Sequence, residues 1–470
     1  MNLTFNGHKV PLEDCRISAM PFNRVWTGKQ RTLDQTCLAK FAGFDLTEPG
    51  TLEISGIDAD IPARLYPFSE SSRLVRTDSG LALKLDTPAQ YVLDFGDALP
   101  PLHIFADKPV ELERRPDDIW FGPGEHHAGI ISPKSGQRVV IERGAVVHGE
   151  LFLDRVRDVT VIGHGILDCS TFERADVRAQ EFRKSRGLPP IDTEFACHSC
   201  VVYASENVRI EGIIIRDTPF WSLIVRSGSR NVTIDGIKII GQWRYNSDGI
   251  DISASSDVLV KDCFVRSFDD CLVVLGAYLD SRSLRAENIL FENCRLWCDW
   301  GTSFKLWSPP YMNKFRNIEI RDSKLLRVMG TPLQIKDSCG SADTRIEDVR
   351  FSNIEIDMEG LPLSGVLQKS DDMCYPGDSF AKELTLAVAC FHPREDHGNQ
   401  NFVEVADPSG FHSLIRSIVF ENFTFPGFTP PLAAELFTTV PGQEIRDIEF
   451  RSMPPVSIRK RGNVGTVKAE

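Results

Sequence analysis

The chain is short of the features that mark membrane, nucleic-acid and zinc proteins. No apolar run reaches about 18 residues, the least that a membrane-spanning helix needs, anywhere in its 470 residues. A soluble protein is expected. Its first residues hold no basic segment followed by an apolar stretch of signal-peptide length. As it stands the chain is expected in the cytoplasm, or in the periplasm or outside the cell if a leader has been removed. Its 53 Lys and Arg are outnumbered by 66 Asp and Glu, for a net charge of −13. That field disfavours nucleic acid and anionic membranes as partners, yet it leaves room for an anionic sugar gripped by local bases. Cys197 and Cys200 have zinc-ligand spacing, but no second pair lies nearby. No metal and no cofactor are expected. Most of the 12 cysteines stand singly among apolar strand residues, and buried thiols are expected there.

What is present is a repeat. Segments that begin at Asn207, Asn231, Asp257, Asn288, Asn317, Asp348 and Ser417 share one pattern, with starts 24, 26, 31, 29, 31 and 69 residues apart. An early turn at Asp158 belongs with them. Periods of this size indicate a solenoid, whose units bury their apolar faces only by stacking on one another. Within each unit apolar and polar residues alternate, as in Val258 and Val260 or Ile289 and Phe291, which is the period of a half-buried strand. Five residues after each start comes Gly212, Gly236, Asp262, Asn293, Asp322, Asn353 or Asn422. These types tolerate turns and can stack as side-chain ladders. The next columns, Ile213 to Phe423 and Ile215 to Phe425, are expected to point inward.

An all-β, right-handed parallel β-helix follows. Residues 1–115 lack the repeat, and their short alternating runs broken by Pro and Gly suggest a small β-sandwich-like domain. Residues 116–470 are assigned to the coil, with a loop excursion at about 361–412 whose position suits a lid. Closure of the groove there would favour end-wise cleavage.

Two acid runs stand out on successive turns. Asn246-Ser247-Asp248 and Asp269-Asp270 are 21 residues apart from Asp248 to Asp269, so stacked coils can bring their carboxylates together. Adjacent residues of a regular strand face opposite ways, so Asp269 and Asp270 can share a cleft only where the coil bends. Paired carboxylates on a rigid surface are equipment for cleaving a glycosidic bond, one as acid and one activating water, about 6.5–9.5 Å apart when the reaction inverts.

These residues resemble the polygalacturonase type, family 28 glycoside hydrolases, with some similarity to the family 49 dextranase and isopullulanase type. Asn246-Ser247-Asp248-Gly249 resembles that family's Asn-Thr-Asp-Gly motif, Asp269-Asp270-Cys271 its Asp-Asp motif, and the Pro219 to Trp221 stretch one of its strands. The resemblance implies an inverting hydrolase of poly- or oligosaccharides, in which Asp270 is the general acid and Asp248 with Asp269 hold and deprotonate water. Departures bear on the sugar. Trp300 stands where the family has histidine, and Gln334-Ile335-Lys336 where it has Arg-Ile-Lys. Glutamine cannot imitate an arginine fork on a carboxylate, so a neutral glucan-type substrate is as well supported as a pectin-derived galacturonate. Asn246, Trp300, Lys305, Gln334 and Lys336 are the candidate substrate-binding residues, with Trp221, Trp243, Arg244 and Tyr245 weaker ones. Two other readings stand beside the hydrolase: a β-helix polysaccharide lyase that uses Ca²⁺, and a noncatalytic carbohydrate-binding solenoid.

Overall fold

The computed structural model describes residues 1–19, 33–188, 197–276, 285–308, 314–328, 331–337, 343–358, 383–391, 410 and 412–470. From Ile119 onward the strands form one 29-stranded sheet system in which each strand pairs in parallel with its counterpart one coil away. This is the expected parallel β-helix.

Its corners explain the repeat. The residues that begin each segment, Asn207, Asn231, Asp257, Asn288, Asn317, Asp348 and Ser417, all sit at φ between 53° and 57°. Asn and Asp tolerate this left-handed region best among residues with a side chain, which is why they recur there. Their side chains then stack: Asn231 Nδ2 donates to Asn207 Oδ1 at 2.6 Å, and Asn317 Nδ2 to Asn288 Oδ1 at 2.9 Å. The second turn column does the same, with Asn293 on Asp262 at 2.6 Å and Asn422 on Asn353 at 2.7 Å. Between the corners the expected inward columns are all buried, Ile213 to Phe423 and Ile215 to Phe425, in one continuous core. Cys263 and Cys294 stack within it as free thiols.

Aromatic rings take over toward the C-terminal coils. Phe420 lies between Phe351 and Phe450, with ring centroids 4.9 and 4.8 Å away and nearly parallel planes. Phe351→Ala opens a cavity in a stack that cannot collapse along the coil axis. A loss of about 3–5 kcal/mol, read from the urea midpoint, is the expected result.

The 361–412 stretch is not one excursion. Leu384–Phe391 returns to the coil and pairs in parallel between Leu333–Asp337 and Leu432–Phe437. Leu384, Leu386, Ala387, Ala389 and Phe391 join the core, but the strand stacks on a face of the coil, that of Leu333–Asp337 and Leu432–Phe437, which carries no Asn or Asp corner, so the repeat pattern passes over it. The rest of that stretch, apart from 383, 410 and 412, lies outside the described residues.

Residues 2–107 make two five-stranded sheets. One face of each enters a shared core that includes Leu52, Leu83, Leu93 and Ile104. The other face of the second sheet presents Phe41, Tyr66 and Phe105 to Ile214, Phe264 and Trp297 of the coil. Polar groups also cross this seam. Arg266 donates to both oxygens of Asp299, at 3.3 and 3.1 Å, and to His103 Nε2 at 3.1 Å. Lys40 O can only accept, so His103 Nδ1 carries the proton that meets it at 3.1 Å. Burial, followed by the Arg266 charge, pushes the imidazole down to about 3 and holds it neutral. Arg266 is the penultimate residue of strand Phe264–Ser267 and Asp299 directly follows strand Arg295–Cys298, so the seam braces the turns of the candidate site.

Candidate active site

Strand Phe264–Ser267 ends and strand Leu272–Leu275 begins with Asp269 and Asp270 between them, in the expected bend. Ser267 Oγ donates to Asp269 O at 2.6 Å and shapes this bend. One coil earlier Asn246 takes φ 54°, and the Ser247 amide and hydroxyl both donate to Arg244 O. The backbone joins the two turns: Asp269 N donates to Ser247 O at 3.4 Å and Gly249 N to Asp270 O at 2.8 Å. A Cβ on Gly249 would lie 2.3 Å from Cys271 O, so only glycine permits this approach.

The result is convergence. Asp248, Asp269 and Asp270 are all buried and offer oxygens that lie within 4.8 Å of one another. Oxygens this close could also grip a cation, but a lysine already shares the cluster: Lys305 Nζ donates to Asp270 Oδ2 at 2.9 Å. Asp270 Oδ1 accepts from Thr302 N at 2.8 Å and Thr302 Oγ1 at 2.7 Å. Both of its oxygens are therefore engaged by donors.

The neighbouring acids are treated differently. Burial first, and then the Asp270 charge, push Asp269 up to about 7. Burial, helped by Asp269, Asp251 and Asp270, raises Asp248 well above the carboxylate range, and Asp248 Oδ1 has no hydrogen-bond partner. For Lys305, partial burial opposes the charged form, but Asp270 and Asp269 outweigh it and its pKa is raised.

The remaining expected residues lie on the neighbouring turns and strands. Trp300 lies flat on Phe268, centroids 5.7 Å apart and planes 9° apart. Gln334 is the register partner of Lys305 on the next coil, and Lys336 is that of Trp307. Gln334 is half-buried and its Nε2 donates to Thr331 O at 3.4 Å. Asn246 does not end in the acid cluster: its Oδ1 accepts from Arg174 Nη2 at 2.7 Å. Trp243 and Arg244 both bond Asp217 and serve the turn, while Trp221 stacks on Phe220 and His198.

Two residues escape sequence reasoning. Asp251 is fully buried, neither of its oxygens has a hydrogen-bond partner, and burial and then Asp270 raise its pKa strongly. Its signal was available, because Ile250 and Ile252 point inward and so Asp251 must take the face shared in register with Val273 and, one coil on, Lys305. Arg174 had no such signal, since it arrives from a segment outside the repeat.

Gly301 sets the distance between the coils. A Cβ there would lie 2.5 Å from Asp269 C and 2.6 Å from Asp270 N. Gly301→Ala is expected to push the acid turn away from Thr302, to lower turnover about 100-fold and, because backbone must move, to cost about 1–3 kcal/mol of stability. Steady-state rates and a thermal melt check this.

Residues 147–367 match the model of the family described as glycosyl hydrolases family 28, a stretch that contains all the groove residues named above. Endopolygalacturonase A of Aspergillus niger is 26% identical over 171 residues, 35% of this chain and 42% of that protein. A probable polygalacturonase of Arabidopsis thaliana is 35% identical over 69 residues, 14% of this chain and 15% of that protein. The chain spans less than half the length of these curated relatives. The solved structure of Dex49A from Penicillium minioluteum matches 97% of this chain and 93% of that one with a TM-score of 0.56. At 11% identity this likeness is one of fold. By its coil and its acid motifs the chain resembles the polygalacturonase-type glycosyl hydrolases of family 28.

Proposed function

We propose that this protein is a glycoside hydrolase that cleaves a poly- or oligosaccharide with its aspartates. The observation that carries this reading is the unequal treatment of adjoining carboxyls. One, Asp269, keeps a proton up to about 7, while its neighbour Asp270 accepts from an ammonium and from both donors of Thr302. A protonated carboxyl beside one whose oxygens only accept supplies a proton donor and an acceptor for the proton of water.

The roles then differ from those implied by the family resemblance. Asp270 has both oxygens engaged by donors and so has none free to carry a proton to the leaving group. We assign Asp270 to deprotonating the attacking water, Asp248 to holding that water through its unpartnered Oδ1, and Asp269 to protonating the leaving oxygen. The oxygens within 4.8 Å of one another are closer than the about 6.5–9.5 Å usual for an inverting pair. This spacing is the observation that favours the retaining alternative. Against it, a carboxylate tied by Lys305 and Thr302 is a better anchor for water than a nucleophile, so inversion is our reading.

For the sugar, Lys305 spends its charge on Asp270, and glutamine replaces the arginine fork at position 334. We therefore place a neutral residue ahead of a galacturonate at the cleavage point, with Trp300 offering an apolar face. A screen of neutral glucans and pectic oligosaccharides, run with and without chelator, tests this. Turnover that survives chelation and yields saturated products supports the hydrolase. Loss on chelation with an ultraviolet-absorbing product selects the lyase, and binding without turnover selects the noncatalytic solenoid.

A further inference from the structure

Between strands Ile166–Asp168 and Cys200–Tyr203 the chain leaves the coil, and just ahead of the helix Val177–Ser185 it turns Arg174 back toward the groove. Arg174 is buried, donating from Nη1 to Tyr245 O at 3.0 Å and from Nη2 to Asn246 Oδ1 at 2.7 Å. Its guanidinium lies 4.6 Å from the Phe220 ring centroid and 5.5 Å from that of Tyr245. With both terminal nitrogens donating to protein, it is a poor replacement for a substrate-gripping fork. The turn it holds is the one whose Ser247 O receives the Asp269 amide.

We propose that Arg174 is a positioning residue for Asp269, pinning the Tyr245-Asn246 turn from outside the coil and keeping a fixed cation within electrostatic reach of that acid. The proposal rests on the reading of Asp269 as the proton donor. Around the same carboxyl stand Asp270 of its own turn and, from other elements, Lys305, Asp248, Asp251 and Tyr245. Lys305 and Arg174 both favour its ionised form, whereas burial and Asp270 oppose it. Arg174 thus trims a proton affinity that burial would otherwise raise further, and so sets the upper end of the working pH range.

The test is a carboxyl titration by nuclear magnetic resonance of the full chain labelled with ¹³C-aspartate, the Asp269 signal being the one missing from Asp269→Asn. In Arg174→Gln the midpoint is expected about 0.3–0.5 pH unit higher, with the basic limb of kcat/KM moving alongside. Arg174→Lys keeps the charge and loses the fork, so its midpoint is expected unchanged while its rate at the optimum drops about tenfold. An unmoved midpoint in folded Arg174→Gln overturns the proposal. If that variant does not fold, wild-type turnover in Arg174→Lys overturns it instead. The resonance needs no substrate, so a chain that cleaves no sugar contradicts the hydrolase reading without obscuring this result.

Discussion

Asp269→Asn is expected to lower kcat about a thousandfold while leaving binding of the oligosaccharide within a factor of about two. Asparagine keeps the shape of the side chain and its place in the bend, but has no proton to give to the leaving oxygen. In the unaltered protein kcat/KM should fall as pH rises through about 7, where Asp269 loses its proton. The variant's residual rate should show no such limb. Stability moves the other way. Because Asp269 binds its proton more tightly folded than unfolded, whose reference is about 3.9, the folded chain carries the extra proton between there and about 7. Stability contributed by that proton is full below this window and is lost as pH rises through it. Asp269→Asn removes the titration, so its melting temperature should fall less steeply with pH and exceed that of the unaltered chain above pH 7. Activity and stability are in opposition at this carboxyl, as expected of a group kept for its chemistry.

Lys305→Gln should produce the second largest effect, a loss of about 100-fold in kcat together with about 2 kcal/mol of stability. Removing the ammonium leaves the Asp270 carboxylate held through Oδ1 by Thr302, beside acids that already repel it. A wholly buried pair broken in this way costs about 3–5 kcal/mol. The smaller figure reflects the 28% exposure of the lysine side chain. Pairing Lys305→Gln with Asp270→Asn should restore most of the stability, because no charge is then left behind, and none of the activity. A urea-unfolding cycle over the four proteins reads the coupling, and a substrate-contacting lysine that merely flanked the acids would show none.

The corner residues made the coil legible. Asn207 or Asn288 is chosen for a left-handed backbone, and the apolar alternation after it is chosen for a stacked interior, so both signals recur at every coil and reinforce each other. Leu384–Phe391 was lost because it has the second signal without the first. The acid trio was legible for a related reason: stacking puts equal columns of successive coils side by side, and Asp248 and Asp269-Asp270 fall on turns in register. The bend between Phe264–Ser267 and Leu272–Leu275 followed from the need for both aspartates to face one cleft. What the repeat does not carry was invisible. Arg174 reaches Asn246 from 72 residues away through a non-repeating segment, and the division of roles between Asp269 and Asp270 depends on Thr302 and Lys305, whose hydrogen bonds no spacing rule encodes. The same holds for Asn246, which the motif marks as a sugar contact and the fold spends on Arg174.

The central claim is that one cleft gathers three aspartates, of which Asp269 donates the proton while a water held by Asp270 and Asp248 attacks. Proton nuclear magnetic resonance of the first anomer released, followed before mutarotation on whichever oligosaccharide the screen finds, tests it most directly. The inverted anomer is expected to appear first, and Asp269→Asn is expected to suppress it. A retained anomer, or an unsaturated sugar end, would contradict it.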